Sequence, residues 1–499
     1  MSVSIVQYFG SQLGKCGYCA NTNCSKSHGM HSYRLDCQDY QDLIDRGWRR
    51  CGNYCYKMRN RETCCPCYTI KCDALEFKLS KSHKRILRRM NRFLRDGKRE
   101  SSTGAGTGDG DGDDAPGGGE VTASEPQPQL PDKSPVLINV EEVTSLAQAQ
   151  KQKPAKQAAA AAAAAPDSVP PVQAPTLGPN KSAAAPISNA PRKKAKQMRL
   201  ERRQAKLGDN EPQAPKACPS QEKSLRDFLC TTDSDTSVNK HQLKIVLVAS
   251  SDTQRTCSDA VIALYRKYQI AIHHDNPARL TLASMQRFLV KSSLKNDKPS
   301  DGPEMGYGSF HQQYWLDDQL IAVGVIDILP ACISSVYFFY DPDYSFLSLG
   351  TYGSLRELDL VQTIAESVPA LKYYYMGFYI HSCPKMRYKG KLSASYLLCP
   401  ETYDWFLLTD AIRSKLDEQK YLRLNPDPSA RDVNEFLMEH LDTVMLLLDA
   451  STCTDYKHYT QLPHQDSELE RASERETIVE YSKLVGKVCA RRMLFVNMS

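Results

Sequence analysis

Apolar residues recur with strand-like and helix-like periods through the C-terminal half of the chain, and they thin out sharply in the middle. Leu243–Ala249 predicts a strand, and Cys257–Gln269 a helix with Val261, Leu264, Tyr265 and Tyr268 on one face. Met285–Leu289 predicts a second helix. Phe310–Leu316 and Leu320–Leu329 predict strands joined as a hairpin through Asp317-Asp318, and Ile333–Tyr340 predicts a third. Ser354–Glu366 predicts a helix, with Ser354 as N-cap and Glu357 completing a capping box. Tyr373–Ile380, almost wholly aromatic and apolar, predicts a buried strand. Strand, strand, strand, helix, strand describes a mixed α/β sheet rather than a doubly wound one.

Three regions follow from the same pattern. Residues 1–98 form a cysteine-rich basic module and residues 226–499 the α/β domain. Residues 99–225 carry the Gly/Asp run Gly104–Gly119, the alanine run Ala158–Ala165 and many prolines. Too few large apolar residues occur there to build a core, so a largely disordered linker is expected. Met1–Gly10 lacks the pattern of a signal peptide, and no segment is long and apolar enough to span a membrane. A soluble protein is expected, cytoplasmic and also nuclear.

Ten of the 18 cysteines precede residue 73. In a reducing compartment that density points to metal ligation rather than disulfides. Cys16-Gly-Tyr-Cys19 is a CxxC turn that can present two thiolates to one metal, and the adjacent pair Cys64-Cys65 can close the site. Adjacent cysteines are unusual for structural zinc and less surprising for an iron–sulfur cluster. Cys24, Cys55 and Cys67 compete for the ligand positions, and His28 or His31 could substitute in a zinc site.

The net charge of +6 says little, but the cations cluster. In Lys81–Arg95 one helical face holds Ile86, Leu87, Met90, Phe93 and Leu94. The opposite face holds Lys81, Lys84, Arg85, Arg88, Arg89, Arg92 and Arg95, a surface suited to nucleic-acid phosphates. A second run, Arg192–Lys206, suits RNA contact or nuclear import. The Tyr373 strand empties into a loop bearing His381, Lys385, Arg387 and Lys389, which suits the grip of an anion. Gly350 and Gly353 precede the predicted helix start, where backbone N–H groups could face an anion.

The blocks CGYC, QDYQDLIDRGWRR, TCCPCYTIKC, GYGSFHQQYWLDDQLIAVGVIDILP, SSVYFFYDPDYSFLSLGTYGSLRE and YYYMGFYIHSCPKMRYKG, in this order, resemble the arginyl-tRNA–protein transferase family. The resemblance covers residues 5–98 and 240–410 and, loosely, the tail SKLVGKVCARRMLF. It implies transfer of arginine from arginyl-tRNA to the N-terminal α-amine of proteins beginning with Asp, Glu or oxidised Cys, marking them for ubiquitin-dependent degradation. It also implies an acetyltransferase-like C-terminal domain of the Fem type. Cys16, Cys19, Cys64 and Cys65 match the family's cysteines, which implies an iron–sulfur cluster or zinc. Cys67 departs from the family pattern, where glutamine is expected. The aminoacyl ester is already activated, so no nucleotide cofactor is needed, and a monomer is expected.

Three recognition tasks follow from that reaction. His381, Lys385, Arg387 and Lys389 are the candidates for the acceptor's acidic side chain. Asp341, Asp343 and Glu357 are the candidates for the transferred arginine. His311, Tyr314, Tyr344 and the Gly350–Ser354 turn are candidates for the tRNA end, and Lys84, Arg85, Arg88, Arg89 and Arg92 for its phosphates. His381, Tyr344 and Asp341 are the candidate catalytic groups. The competing readings are a non-catalytic module that binds RNA or protein N-termini on an acetyltransferase-like fold, and an acetyl-CoA-dependent acetyltransferase.

Overall fold

The computed structural model describes residues 3–19, 21–99, 134–148, 223–230, 239–449, 452–463 and 467–497. The Gly/Asp run, the alanine run and the basic run Arg192–Lys206 lie outside the described residues.

The predicted C-terminal strands all form, within one or two residues of their expected ends. They are β6 (Leu243–Ala249), β7 (Gly308–Leu316), β8 (Gln319–Ile328), β9 (Cys332–Tyr340) and β10 (Tyr373–Tyr379). Asp317, at φ 46°, makes the β7–β8 turn. With β5 (Tyr68–Asp73), β11 (Ser395–Leu398) and β12 (Trp405–Leu407) they build an eight-stranded sheet ordered β12-β11-β5-β10-β9-β8-β7-β6. Only the β9–β10 pair is parallel; β5 lies antiparallel between β10 and β11. A second sheet of seven strands joins β1 (Ile5–Gly14), β2 (Ser25–Arg34), β3 (Trp48–Cys51) and β4 (Tyr54–Met58) to β13 (Met445–Leu447), β14 (Cys453–Asp455) and β15 (Leu494–Val496). There β15 pairs parallel with β1. The first 98 residues therefore contribute strands to both sheets, and the C-terminal strand completes the N-terminal sheet. Among the described residues, those before 149 and those after 223 pack as one compact unit.

Six helices matter to the site. They are α1 (Cys37–Ile44), α2 (Lys81–Asp96), α3 (Asp259–Tyr268), α4 (Leu349–Ala365), α5 (Asp410–Glu418) and α6 (Glu468–Arg492). The larger core lies between the eight-stranded sheet and α2, α3 and α4; a second unites α1, α6 and the seven-stranded sheet. Helix α4 departs from the sequence expectation. It starts five residues earlier, so Ser354 is not the N-cap but an interior residue donating to the Gly350 carbonyl at 3.2 Å. Ser348 is the N-cap, in the left-handed region. Gly353 is needed for packing rather than for an anion-binding turn. A Cβ there would stand 2.3 Å from the Phe338 ring, so only glycine lets the helix approach the sheet this closely. No helix among the described residues is long and apolar enough to cross a membrane.

Candidate active site and four-cysteine centre

The site begins where two strands part. The parallel pairing of β9 with β10 runs only from Tyr373↔Cys332 to Tyr375↔Ser334. The pairing of β10 with β5 shifts register between Tyr375 and Phe378. Gly377, at φ 67°, forms the bulge between them. Beyond it the chain enters the loop and the turn Pro384–Lys391 that carry the predicted cations.

Those four cations have different roles. Lys389 is buried and donates to the Phe378 carbonyl at 3.0 Å, so it braces the loop rather than facing a ligand. His381 is held on both ring nitrogens, by the Tyr379 hydroxyl at 2.7 Å and the Asp417 carboxylate at 2.8 Å. Arg387 is exposed, with Nε fixed by the His381 carbonyl at 2.9 Å. Lys385 is exposed. Tyr379, His381, Arg387, Arg413, Asp410 and Asp417 line an open cleft of about 890 Å³ at this end of β10.

The loop rests on the cysteines. The ligand atoms of Cys16, Cys19, Cys64 and Cys65 all lie within 4.8 Å of one another. Cys16 and Cys65 are buried, and both pack in one cluster with Phe378, Ile380 and Met386 from the end of β10 and the loop after it. A metal–thiolate bond of about 2.3 Å requires sulfur–sulfur edges of about 3.8 Å in a tetrahedron, so the four thiols fit one ion. Burial pushes Cys65 up to about 12, whereas the Asn21 backbone and the neighbouring thiols draw exposed Cys19 down to about 7. Cys24 is a fifth thiol, its sulfur 3.1 Å from that of Cys64. Cys55 and Cys67, the other competitors, are not among the four.

Several expected site residues are structural instead. His311 is 1% exposed, with Nε2 against the Leu289 carbonyl at 3.1 Å, and burial holds its pKa down near 4. Tyr314, also 1% exposed, gives its hydroxyl to Gln312 at 2.6 Å. Helical segments cover one face of β7 and α4 the other, so neither residue reaches solvent. Asp341 caps the following turn and, with Asp343, holds Lys267 at 2.6 and 2.7 Å. Tyr344 is half-buried, its hydroxyl on Gln319 at 3.2 Å. Glu357 is buried beneath α4 and accepts from the Tyr374 hydroxyl at 2.6 Å. Burial raises its pKa to about 7, against the hydroxyls of Tyr374 and Ser335.

Helix α2 is amphipathic as expected. Ser80 and His83 form its capping box, Gly97 ends it, and Leu87, Met90, Phe93 and Leu94 are buried. Arg85, Arg88 and Arg92 are exposed, and Lys84 and Arg89 half-buried. Arg89 donates to the Phe346 carbonyl at 2.8 Å, beside the N-terminus of α4.

The N-terminal part of the chain, residues 14–85, matches the family "Arginine-tRNA-protein transferase, N terminus", and residues 260–399 match "Arginine-tRNA-protein transferase, C terminus". Over 506 residues, and the whole of both chains, it is 68% identical to arginyl-tRNA–protein transferase 1 of Drosophila melanogaster. The chain belongs to the arginyl-tRNA–protein transferase family. It is 33% identical to arginyl-tRNA–protein transferase 2 of Arabidopsis thaliana, over 87% of this chain and 81% of that one. A shorter match, 34% identity over 94 residues, 19% of this chain and 37% of the other, is to an aspartate/glutamate leucyltransferase of Campylobacter jejuni.

In this family member the sequence reading missed the far wall of the cleft. Asp410, Arg413 and Asp417 stand on α5, which Thr409 caps, and only that capped helix signalled them. Arg49, whose Nη2 reaches the Gly377 carbonyl at 3.2 Å, was hidden in a stretch that reads as basic surface. Replacing Arg85, Arg88 and Arg92 together by glutamine is expected to weaken tRNA binding and to flatten its log–log salt slope by roughly 2–3, about one for each phosphate left unneutralised. Fluorescence titration of labelled tRNA between low and moderate salt measures this, and an unchanged slope would return α2 to ordinary solvated surface.

Proposed function

We propose that the chain transfers arginine from arginyl-tRNA to the α-amine of proteins with acidic N-termini, in the cleft between the end of β10 and α5. The cleft's placement carries the reading. An exposed arginine, a doubly held histidine and two carboxylates converge at one strand end, on a loop seated on the four-cysteine centre.

Arg387 takes the acceptor's acidic side chain. Its guanidinium can meet a carboxylate in bidentate fashion, and Lys385 adds positive potential. The transferred arginine's guanidinium is met by Asp410, because Asp341 and Asp343 are occupied by Lys267, Asp417 by His381, and Glu357 is buried. A free α-ammonium has a pKa of about 8, so a modest base suffices to free the amine. Because Asp417 holds Nε2, that proton passes to His381 Nδ1 through the Tyr379 hydroxyl, which lines the cleft and bonds that nitrogen at 2.7 Å. The amine nitrogen attacks the ester carbonyl, the carbon–oxygen bond to the ribose breaks, and the imidazolium returns the proton to the departing ribose oxygen. Most of the acceleration comes from holding amine and ester together. The product carries a new N-terminal arginine, which fits a role in marking proteins for degradation. Helix α2, with Arg85, Arg88 and Arg92 exposed, supplies the surface for the tRNA.

Cys16, Cys19, Cys64 and Cys65 would hold the metal, which supplies a structural staple rather than chemistry. Their close spacing favours a single ion such as zinc over an iron–sulfur body. Metal analysis and an absorption spectrum of anaerobically purified protein test this; a thiolate-to-iron charge-transfer band would overturn it. The transfer itself is tested with arginyl-tRNA carrying labelled arginine and an Asp-starting peptide. Label in the peptide is expected. Binding of both partners without transfer would reduce the chain to a recognition module.

A further inference from the structure

We propose that Arg49 is a positioning residue for acceptor recognition: from β3 of the seven-stranded sheet it fixes the bulge from which β10 delivers His381 and Arg387. The proposal rests on the cleft reading above.

Arg49 is only 5% exposed, and its partners are mostly backbone carbonyls. Nη1 donates to Trp48 at 2.7 Å and to Ile44 at 3.4 Å, and Nη2 to Gly377 at 3.2 Å. Its Nε has no hydrogen-bond partner among the described residues. The guanidinium also lies 5.3 Å from the centre of the Phe378 ring. Burying a cation on such terms is costly, and an apolar side chain of similar volume would fill the space more cheaply. What the apolar side chain could not do is satisfy the Gly377 carbonyl. Gly377 stands at φ 67°, between the last β9–β10 pair at Tyr375 and the resumption of the β5 ladder at Phe378. A buried carbonyl turned out of both ladders needs a donor, and Arg49 supplies it across the boundary between the two sheets.

The consequences run a short way along the chain. Phe378, the next residue, packs against the cysteine cluster and gives its carbonyl to Lys389. His381 is four residues beyond Gly377, and its own carbonyl orients Arg387. A change in the bulge therefore moves the acceptor-binding loop without touching α2 or the tRNA surface.

The test compares three variants in steady-state kinetics with an Asp-starting peptide and arginyl-tRNA. Arg387→Ala is the reference for the cleft. Arg49→Lys keeps the charge and loses the fork that reaches Trp48 and Gly377 together. Gly377→Ala strains the bulge itself and leaves Arg49 intact, so it carries the comparison if Arg49→Lys fails to fold. Arg49→Lys and Gly377→Ala are each expected to raise the acceptor KM about 10-fold or more, as a misplacement near 1 Å can. The KM for arginyl-tRNA should stay within about twofold, because that binding surface is not moved. An unchanged acceptor KM in both, with Arg387→Ala impaired, would overturn the role of Arg49 and leave the cleft standing. Equal rises in both KM values with a lowered unfolding temperature would make Arg49 merely structural and overturn the proposal. An acceptor KM unaffected by Arg387→Ala would remove the cleft reading and the proposal with it.

Discussion

Replacing Cys65 with serine is expected to abolish metal retention and to lower arginyl transfer to an Asp-starting peptide by at least about 100-fold, the scale on which a misplaced site loses activity. Structural four-thiolate sites contribute about 10–16 kcal/mol of binding free energy in small peptides, as much as the whole stability margin of many domains. The loss would not stay local. Cys65 and Cys16 pack directly on Phe378, Ile380 and Met386, which carry the acceptor loop. Cys67→Ser is the matched control. Its thiol is buried and donates to the Cys65 carbonyl at 3.2 Å, but it is not among the four clustered sulfurs, so metal content should persist. Elemental analysis, transfer rate and hydrogen exchange over residues 376–391 separate the two variants. A Cys65→Ser protein with normal exchange protection and normal turnover would disconnect the metal from the loop.

Asp327→Ala is expected to cost about 3–5 kcal/mol of stability, by stranding a buried cation. Arg50 and Asp327 have side chains 3% and 0% exposed, and Asp327 belongs to the eight-stranded sheet while Arg50 belongs to the seven-stranded one. Arg50 Nε meets one carboxylate oxygen at 2.9 Å and Nη2 meets the other; Ser309 donates to that second oxygen at 2.7 Å. With the carboxylate gone, the guanidinium keeps only Ser309 and the Gly52 carbonyl, at 2.7 and 3.1 Å. Removing both charges, as in Arg50→Met with Asp327→Leu, should recover most of the loss, because the desolvation cost disappears with the pair. Urea unfolding of the single and double variants measures this. A loss below about 1 kcal/mol for Asp327→Ala would mean that water reaches the pair, as it does at exposed pairs of that strength.

The two buried arginines also mark where sequence reasoning stopped. The C-terminal strands were legible because both sheet faces are covered and their sequences run nearly unbroken in apolar residues, as in Leu320–Ile328. The N-terminal strands were not. Strand β2, SKSHGMHSYR, has almost no apolar alternation, yet it lies inside its sheet, between β1 and β4. Strand β3, WRRC, reads as charge, although Arg49 and Arg50 are both inside. The Gly377 carbonyl on Arg49 and the Asp327 carboxylate on Arg50 come from 328 and 277 positions away, which no local pattern reveals. The same limit explains the site. The cysteine quartet was visible from spacing and resemblance, and the loop from its cations. Which cation faces solvent depends on backbone carbonyls: Lys389 is spent on Phe378, whereas Arg387 stays outward. His311 and Tyr314 resembled site residues by type alone, and tertiary burial on both faces of β7 decided otherwise.

The central claim is that acidic N-termini are read by Arg387 at the end of β10. It is tested most directly by measuring kcat/KM for two peptides that differ only in Asp or Asn at the first position, with the wild-type chain and Arg387→Ala. A charge-assisted bidentate contact is worth about 2 kcal/mol, so the wild type should prefer Asp by roughly 30-fold and the variant should lose most of that preference. A variant that still prefers Asp as strongly as the wild type would place acceptor recognition elsewhere in the molecule.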